Sequence, residues 1–209
     1  MSGPVSARSL TARLVLGVAL LLFSQDIGSV RAQVASPDFD DHFQRRTMRV
    51  DYFHSGGMGE EILALDRVVS DGPWAGSLTQ LVDDTNLGKY LFDIIDPATN
   101  RVIYSRGFAS IYGEWETTGE ARRRHATFHE SLRFPWPLHS VQVVLKKRDD
   151  EGAFRELWSV PLDPDSRFVN PTPPPAEGRV WAVFENGDPT EKVDLVLLSE
   201  GSVSYTHLT

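Results

Sequence analysis

Apolar and polar positions alternate with a period of two through most of residues 48–162. That period predicts strands, because successive side chains of an extended chain point to opposite faces. Residues 48–53 (MRVDYF) set Met48, Val50 and Tyr52 on one face and Arg49 and Asp51 on the other. Residues 89–96 (KYLFDIID) and 101–108 (RVIYSRGF) are rich in aromatic and β-branched side chains and flank the turn-forming stretch Pro97-Ala98-Thr99-Asn100. They predict a β-hairpin. Residues 140–148 and 154–160 flank Asp149-Asp150-Glu151-Gly152 and predict a second one. Residues 60–69 (EEILALDRVV) alternate but also contain good helix formers; the strands on either side favour a strand. Residues 126–134 (ATFHESLRF) place Phe128, Glu130, Leu132 and Phe134 together, with an expected stop at Pro135-Trp136-Pro137. Short strands at this spacing suggest a mainly β fold, an antiparallel β-sandwich over 48–162.

Around this block the pattern changes. Residues 33–47 have no clear period and are expected to be a polar arm. Residues 54–59 (HSGGMG) are expected to be a glycine-rich turn, with no Lys-Ser/Thr to make a phosphate cradle. Residues 120–124 (EARRR) predict a solvated loop or helical turn. Between Pro164 and Ala176 the chain has five of its 13 prolines, which predicts a stiff linker over 163–178. Beyond it, 180–185 (VWAVFE) and 192–199 (KVDLVLLS) resume an apolar pattern. The run 194–198 is apolar almost throughout, as in a strand buried on both faces. Residues 179–201 therefore predict the first strands of a truncated α/β domain.

Composition narrows the function classes. Hydrophobic residues make up 41% of the 209 and the formal net charge is −8, which argues against nucleic acid as a partner. There is no cysteine, so disulfides, thiolate metal sites and a cysteine nucleophile are excluded. Arg8 and Arg13 precede the apolar run 14–23, and Val30-Arg31-Ala32 ends on a small residue. This predicts a signal peptide over 1–32, cleaved after Ala32, and a secreted or periplasmic protein. The run is far short of the roughly 20 apolar residues of a membrane span, so no membrane anchor is expected.

Candidate chemistry is sparse. His129-Glu130 begins an HExxH-like string, but Arg133 stands where the second histidine belongs. The six histidines (42, 54, 125, 129, 139 and 207) have no metal-site spacing, so no catalytic, cofactor-binding or metal residue is assigned. Asp83-Asp84-Thr85-Asn86 offers oxygen ligands suited to calcium, with an Asx-type turn the competing use. The aromatics Trp74, Tyr112, Trp115 and Trp136 make a possible binding surface for a sugar or peptide, although most aromatics in a sandwich belong to its core.

Two groups of residues carry a likeness. One is Arg49-Val50-Asp51-Tyr52-Phe53-His54-Ser55-Gly56 with Asp71-Gly72-Pro73-Trp74-Ala75-Gly76. The other is Tyr104-Ser105-Arg106-Gly107-Phe108 with Tyr112-Gly113-Glu114-Trp115-Glu116 and the later run Lys192-Val193-Asp194-Leu195-Val196-Leu197-Leu198. Together they resemble the N-terminal half of the bacterial IgA-peptidase family of secreted zinc metallopeptidases (metallopeptidase family sixty-four). The resemblance implies an accessory β-sandwich ahead of a zinc-dependent domain whose HExxH helix lies downstream. Zinc is expected in the parent protein, with no zinc ligand in this chain. The implied partners are that downstream catalytic domain and a protein or glycoprotein substrate. Residues 202–209 (SVSYTHLT) depart from the family pattern and are expected to be a non-native tail. The competing expectation is a free-standing secreted module that binds glycan or protein through surface aromatics.

Overall fold

The computed structural model describes residues 37–175, 184–188 and 192. The expected signal peptide, the tail and most of the expected α/β segment lie outside the described residues. Ten elements follow in order: α1 (Phe39–His42), β1 (Phe43–Gly57), β2 (Glu60–Pro73), β3 (Tyr90–Asp96), β4 (Arg101–Phe108), α2 (Ile111–Trp115), β5 (Ala126–Pro137), β6 (Val141–Arg148), β7 (Phe154–Leu162) and β8 (Val169–Asn170). They form two four-stranded sheets, ordered β5-β1-β2-β8 and β4-β3-β6-β7. All pairings are antiparallel except β2 with β8. The expected β-sandwich is therefore the architecture observed.

The alternation in β1 decides which side chains fill the space between the sheets. Met48, Val50, Tyr52 and His54 are fully buried on the inner face. Leu132 and Phe134 of β5 join them, and Tyr90, Phe92, Ile94, Val143 and Leu145 face them from the second sheet. Phe92 meets Phe134 across the gap at 6.3 Å, and Trp158 stacks on Tyr52 at 6.0 Å. Burying side chains of this size contributes about 1.5–3 kcal/mol each.

Several boundaries differ from the sequence expectation, each for a local reason. Residues 33–47 are not simply a polar arm. Asp38 caps α1 through Asp40 N–H, and Phe39 and Phe43 are buried. The stretch 54–59 is mostly strand, because β1 runs on to Gly57 and the turn is confined to Met58 and Gly59. Gly56 is required here. A Cβ on it would lie 2.0 Å from the Glu60 carbonyl oxygen and 2.6 Å from the Tyr112 hydroxyl. Pro135 and Pro137 do not end β5, since β5 lies at a sheet edge where a missing N–H is tolerated. Trp136 stays buried there under the Arg46 guanidinium, 4.1 Å from the ring centroid. Residues 163–170 do not form the start of a linker, because β8 pairs with Val68 and Val69 and buries Val169. The short helix α2, capped by Ser110 accepting from Gly113 N–H, had no sequence expectation.

Candidate functional site

β1 places His54 on an inner-face position where the pattern calls for an apolar side chain. Its ring is 1% exposed, and both nitrogens face carboxylates. Nε2 lies 2.7 Å from Glu61 Oε1 on β2, and Nδ1 lies 2.9 Å from Glu130 Oε2 on β5. A neutral imidazole donates only one hydrogen bond, so two ionised carboxylates at these distances require the imidazolium.

The carboxylates are ionised because each collects three donors. Glu61 accepts from His54, from the Tyr90 hydroxyl at 2.8 Å and from Lys147 Nζ. Glu130 accepts from His54, from the Tyr52 hydroxyl at 3.0 Å and from Tyr112 N–H at 3.0 Å. Burial opposes ionisation of Glu61, yet hydrogen bonds from His54, Lys147 and Tyr90 outweigh it and bring its pKa down to about 2. Burial likewise opposes Glu130, and His54 and Tyr112 N–H win there too. For His54 burial works against the charge, and the two carboxylates reverse it, so its pKa is raised above 6.5. Burial and the neighbouring carboxylates keep the Tyr52 and Tyr90 hydroxyls protonated, and burial foremost pushes Tyr112 up to about 12.

The network closes around α2. The Tyr112 ring stacks on the imidazolium at 3.9 Å and 17°, a favourable arrangement for a cation on an aromatic face. Its hydroxyl donates to the Glu60 carbonyl at 2.8 Å. Lys147 bridges Glu61 to Glu116, 2.8 Å from Glu116 Oε2, and Lys89 lies 2.5 Å from Glu116 Oε1 while donating to the Gly113 carbonyl. Three cations (His54, Lys89, Lys147) thus balance three anions (Glu61, Glu116, Glu130). His54 is sealed from solvent, and Glu116 Oε1 faces Lys89 as an ion pair without a hydrogen bond. The arrangement locks β1, β2, β3, β5, β6 and α2 together.

A second network occupies the outer face of β1, β2 and β5. Asp51 accepts from Arg49 Nε at 2.9 Å, Arg67 Nε at 2.8 Å and Ser131 Oγ at 2.7 Å. Asp71 accepts from Arg49 Nη1 at 2.6 Å and Arg133 Nε at 2.7 Å. Burial works against the Asp51 charge, and Ser131, Arg67 and Arg49 override it, leaving its pKa low.

The aromatics singled out from the sequence do not share a surface. Tyr112 and Trp136 are buried, which removes them as exposed contacts, because each fills core volume at an opposite end of β5. Trp74 is half-buried, edge-on to Tyr104 at 5.8 Å, with its indole N–H given to the Ser77 carbonyl. Trp115 is half-buried between Tyr112 and Phe128 and donates to Glu120. In the 83–86 stretch the Asx turn is formed. Asp83 Oδ1 accepts from Thr85 N–H at 2.9 Å, and Oδ2 from Gly107 N–H at 2.7 Å. His129 and Glu130 lie on a strand, on opposite faces of the sheet.

Among the described residues, one group of three metal-type donors comes within 4.8 Å, Asp51, Asp66 and His129. Both Asp51 oxygens are already committed to Arg49, Arg67 and Ser131. A cavity of about 510 Å³ at the far end of the sandwich has Asp41, His42, Asp96, His139, Asp163 and Asp165 in its wall. None of these joins a convergent set of three.

Reading the sequence missed His54, Glu61 and Lys147 as a unit. The signal was present in part: His54 continues the face of Met48, Val50 and Tyr52, and Glu130 shares that of Phe128, Leu132 and Phe134. A charged residue on each of two inner faces implies a buried partner.

Fold and site define a class: a mainly β sandwich closed by a buried ionic core. The chain matches the family described as Peptidase M64 N-terminus over residues 38–159, and it belongs to that family. The match starts at the α1 cap and ends within β7, so it takes in the whole His54 network. No curated protein matches the chain.

Proposed function

We propose that this chain is the N-terminal accessory domain of a secreted zinc metallopeptidase of the IgA-peptidase type. The carrying observation is the family match, which covers the sandwich from α1 into β7 and describes an N-terminus rather than a catalytic region. The closed ionic core supports an accessory role, since its ionisable groups are used up in holding strands together. Catalysis by a zinc-activated water would be supplied by polypeptide beyond the sandwich, where an HExxH helix is expected. The signal peptide proposed for residues 1–32 would deliver the protein to the outside or the periplasm. Half-burial of Trp74 and Trp115 and full burial of Tyr112 and Trp136 give the aromatic-platform alternative no support.

The test is to read the genomic sequence downstream of Gly201 and to express the whole open reading frame. The expected result is an HExxH motif and chelator-sensitive hydrolysis of a protein substrate, with IgA among those tried. A reading frame that stops soon after the linker, without such a motif, would overturn the reading.

A further inference from the structure

The outer face of β1, β2 and β5 divides into bands along the strands. At the β1–β2 turn the 121–125 loop lies against it. Met58 N–H donates to the Ala121 carbonyl at 3.0 Å, and His125 Nε2 lies 2.8 Å from Glu60 Oε2. A Cβ on Gly57 would meet the Ala121 carbonyl oxygen and the His125 ring at 3.3 Å, so loop and strand are in close contact. The loop carries Arg122, Arg123 and Arg124, all exposed. Arg124 pairs with Glu120. The Arg122 and Arg123 side chains have no hydrogen bond or ion pair among the described residues. The next two rungs are largely apolar. Ile62 (55% exposed) stands opposite Ser55, whose hydroxyl bonds Thr127 at 2.9 Å. Phe53 (41% exposed) stands opposite Ala64, with the His129 ring 5.1 Å away. Beyond them comes Arg67 opposite Asp51, with Arg133 on β5. Each gives its Nε to an aspartate, and the terminal nitrogens of both have no protein partner among the described residues. An apolar strip thus lies between two groups of open arginine donors, roughly 20 Å apart at about 3.3 Å per residue from Gly57 to Asp51.

A guanidinium with free terminal nitrogens takes a carboxylate in a forked pair, and Ile62 and Phe53 offer apolar area to cover. The complementary partner is a polypeptide segment with an apolar centre and acidic residues at both ends. About eight extended residues reach roughly 26 Å, enough to bridge the two arginine groups. A negatively charged bilayer fits less well. Glu60 and Asp66 share this face, held by His125 and His129, and a flat negative surface would meet their carboxylates together with the arginines. A segment with discrete charges can set its carboxylates at the two ends and pass its apolar side chains over the middle. The chain's own connections favour a separate protein as the source. α1 enters β1 at Phe43, and after β8 the Pro171 carbonyl accepts from Arg46 Nη2 at 2.8 Å, where Arg46 pairs with Pro73. Both connections lie at the end of the sheet remote from the β1–β2 turn and its arginine loop.

We propose that the outer face of β1 and β2, from Arg122 and Arg123 across Ile62 and Phe53 to Arg67, docks a segment of a separate protein that has an apolar centre flanked by acidic residues. The inference goes beyond the peptidase reading and does not depend on it, because it concerns a surface of the sandwich itself. On a chain of formal net charge −8 this face also draws in the acidic segment locally while the rest of the surface repels it.

Fluorescence anisotropy with the full chain and a labelled peptide, Glu-Asp-Leu-Val-Phe-Leu-Asp-Glu, tests it. The variants are Arg122→Glu with Arg123→Glu, and Ile62→Ser. All three positions are exposed, and an unchanged thermal midpoint shows that each variant is folded. The parent should bind the peptide saturably, and more weakly as salt is raised. The arginine double variant should weaken binding at least about tenfold, and Ile62→Ser at least about threefold. A peptide with serine at its four central positions should bind the parent at least about threefold more weakly. No saturable binding up to about 1 mM peptide would overturn the proposal. So would binding indifferent to the arginine double variant. Loss in that variant alone, with Ile62→Ser and the serine peptide unaffected, would mean diffuse charge attraction rather than a docking face, and would overturn it too. Vesicles of phosphatidylserine and phosphatidylcholine, or heparin, that hold the chain through Arg122 and Arg123 when the peptide does not bind would assign the face to a lipid or a glycan instead. None of these outcomes bears on whether an HExxH motif follows.

Discussion

The two ionic networks share three strands and differ in which face they occupy. On the inner face of β1, β2 and β5, His54 joins Glu61 to Glu130. On the outer face, Arg49, Arg67 and Arg133 join Asp51 to Asp71. Neighbouring residues of one strand thus serve opposite networks, Asp51 outward and Tyr52 and His54 inward. The cations differ accordingly. Arginine stays charged at any working pH, whereas the imidazolium persists only while its two carboxylates hold it. Solvent access differs too: the Arg67 and Arg133 side chains are 56% and 54% exposed, the His54 side chain 1%. The inner network should therefore dominate stability and bring pH dependence, while the outer one acts mainly through the buried Asp51.

The largest effect is expected from His54→Ala. It strands two buried carboxylates, and removing one member of a buried ion cluster costs about 3–5 kcal/mol. Chemical denaturation should show this as a lower midpoint with an unchanged slope. A loss below about 1 kcal/mol would mean that the carboxylates are already protonated or solvated.

Next comes Asp51→Ala on the outer face, with an expected loss of about 1–3 kcal/mol for a buried acceptor with charged donors. Its arginine partners turn to water, so the loss should stay below that of His54→Ala in the same titration. The smallest effect is expected from Arg133→Ala. This side chain is more than half exposed and Asp71 keeps Arg49, so the change should be about 0–1 kcal/mol. If Arg133→Ala matched His54→Ala, the distinction between the two faces would fail.

The pH dependence separates His54 from the carboxylates by sign. His54 has a folded pKa above its ordinary 6.5. Its contribution is complete below about 6.5 and is lost as pH rises through the folded value. Glu61 is depressed from 4.5 to about 2, so its contribution is present above 4.5 and lost as pH falls through that window. Asp51, depressed from 3.8, behaves like Glu61. Between neutral and mildly alkaline pH only the inner network should weaken. Midpoints recorded from pH 6 to 9 should fall for the parent, fall equally for Arg133→Ala, and stay flat for His54→Ala.

The fold was legible because period-two alternation is unambiguous in 48–53 and in both hairpins. Boundaries were not, where turn-like residues sit inside strands. Ser55-Gly56-Gly57 reads as a turn, yet Gly56 is there because Glu60 and Tyr112 leave no room for a Cβ. Pro135-Trp136-Pro137 reads as a stop, yet an edge strand absorbs it. The aromatics of 112–136 were visible but their exposure was not, since a buried tyrosine and a binding tyrosine are the same letter. The His54 cluster was hidden for another reason. Glu61, Glu130 and Lys147 come from three strands, and only the pairing of β1 with both β2 and β5, and the sandwich closing over β6, brings them to one histidine.

The protonation state of His54 tests the account most directly. Nitrogen-detected NMR of the histidine side chains, titrated from about pH 5 to 9, reads it for each ring. The account predicts that His54 titrates with an apparent pKa above 6.5, with both nitrogens protonated below it, and that this signal disappears in His54→Ala. An apparent pKa at or below 6.5, with a neutral tautomer just above it, would contradict it.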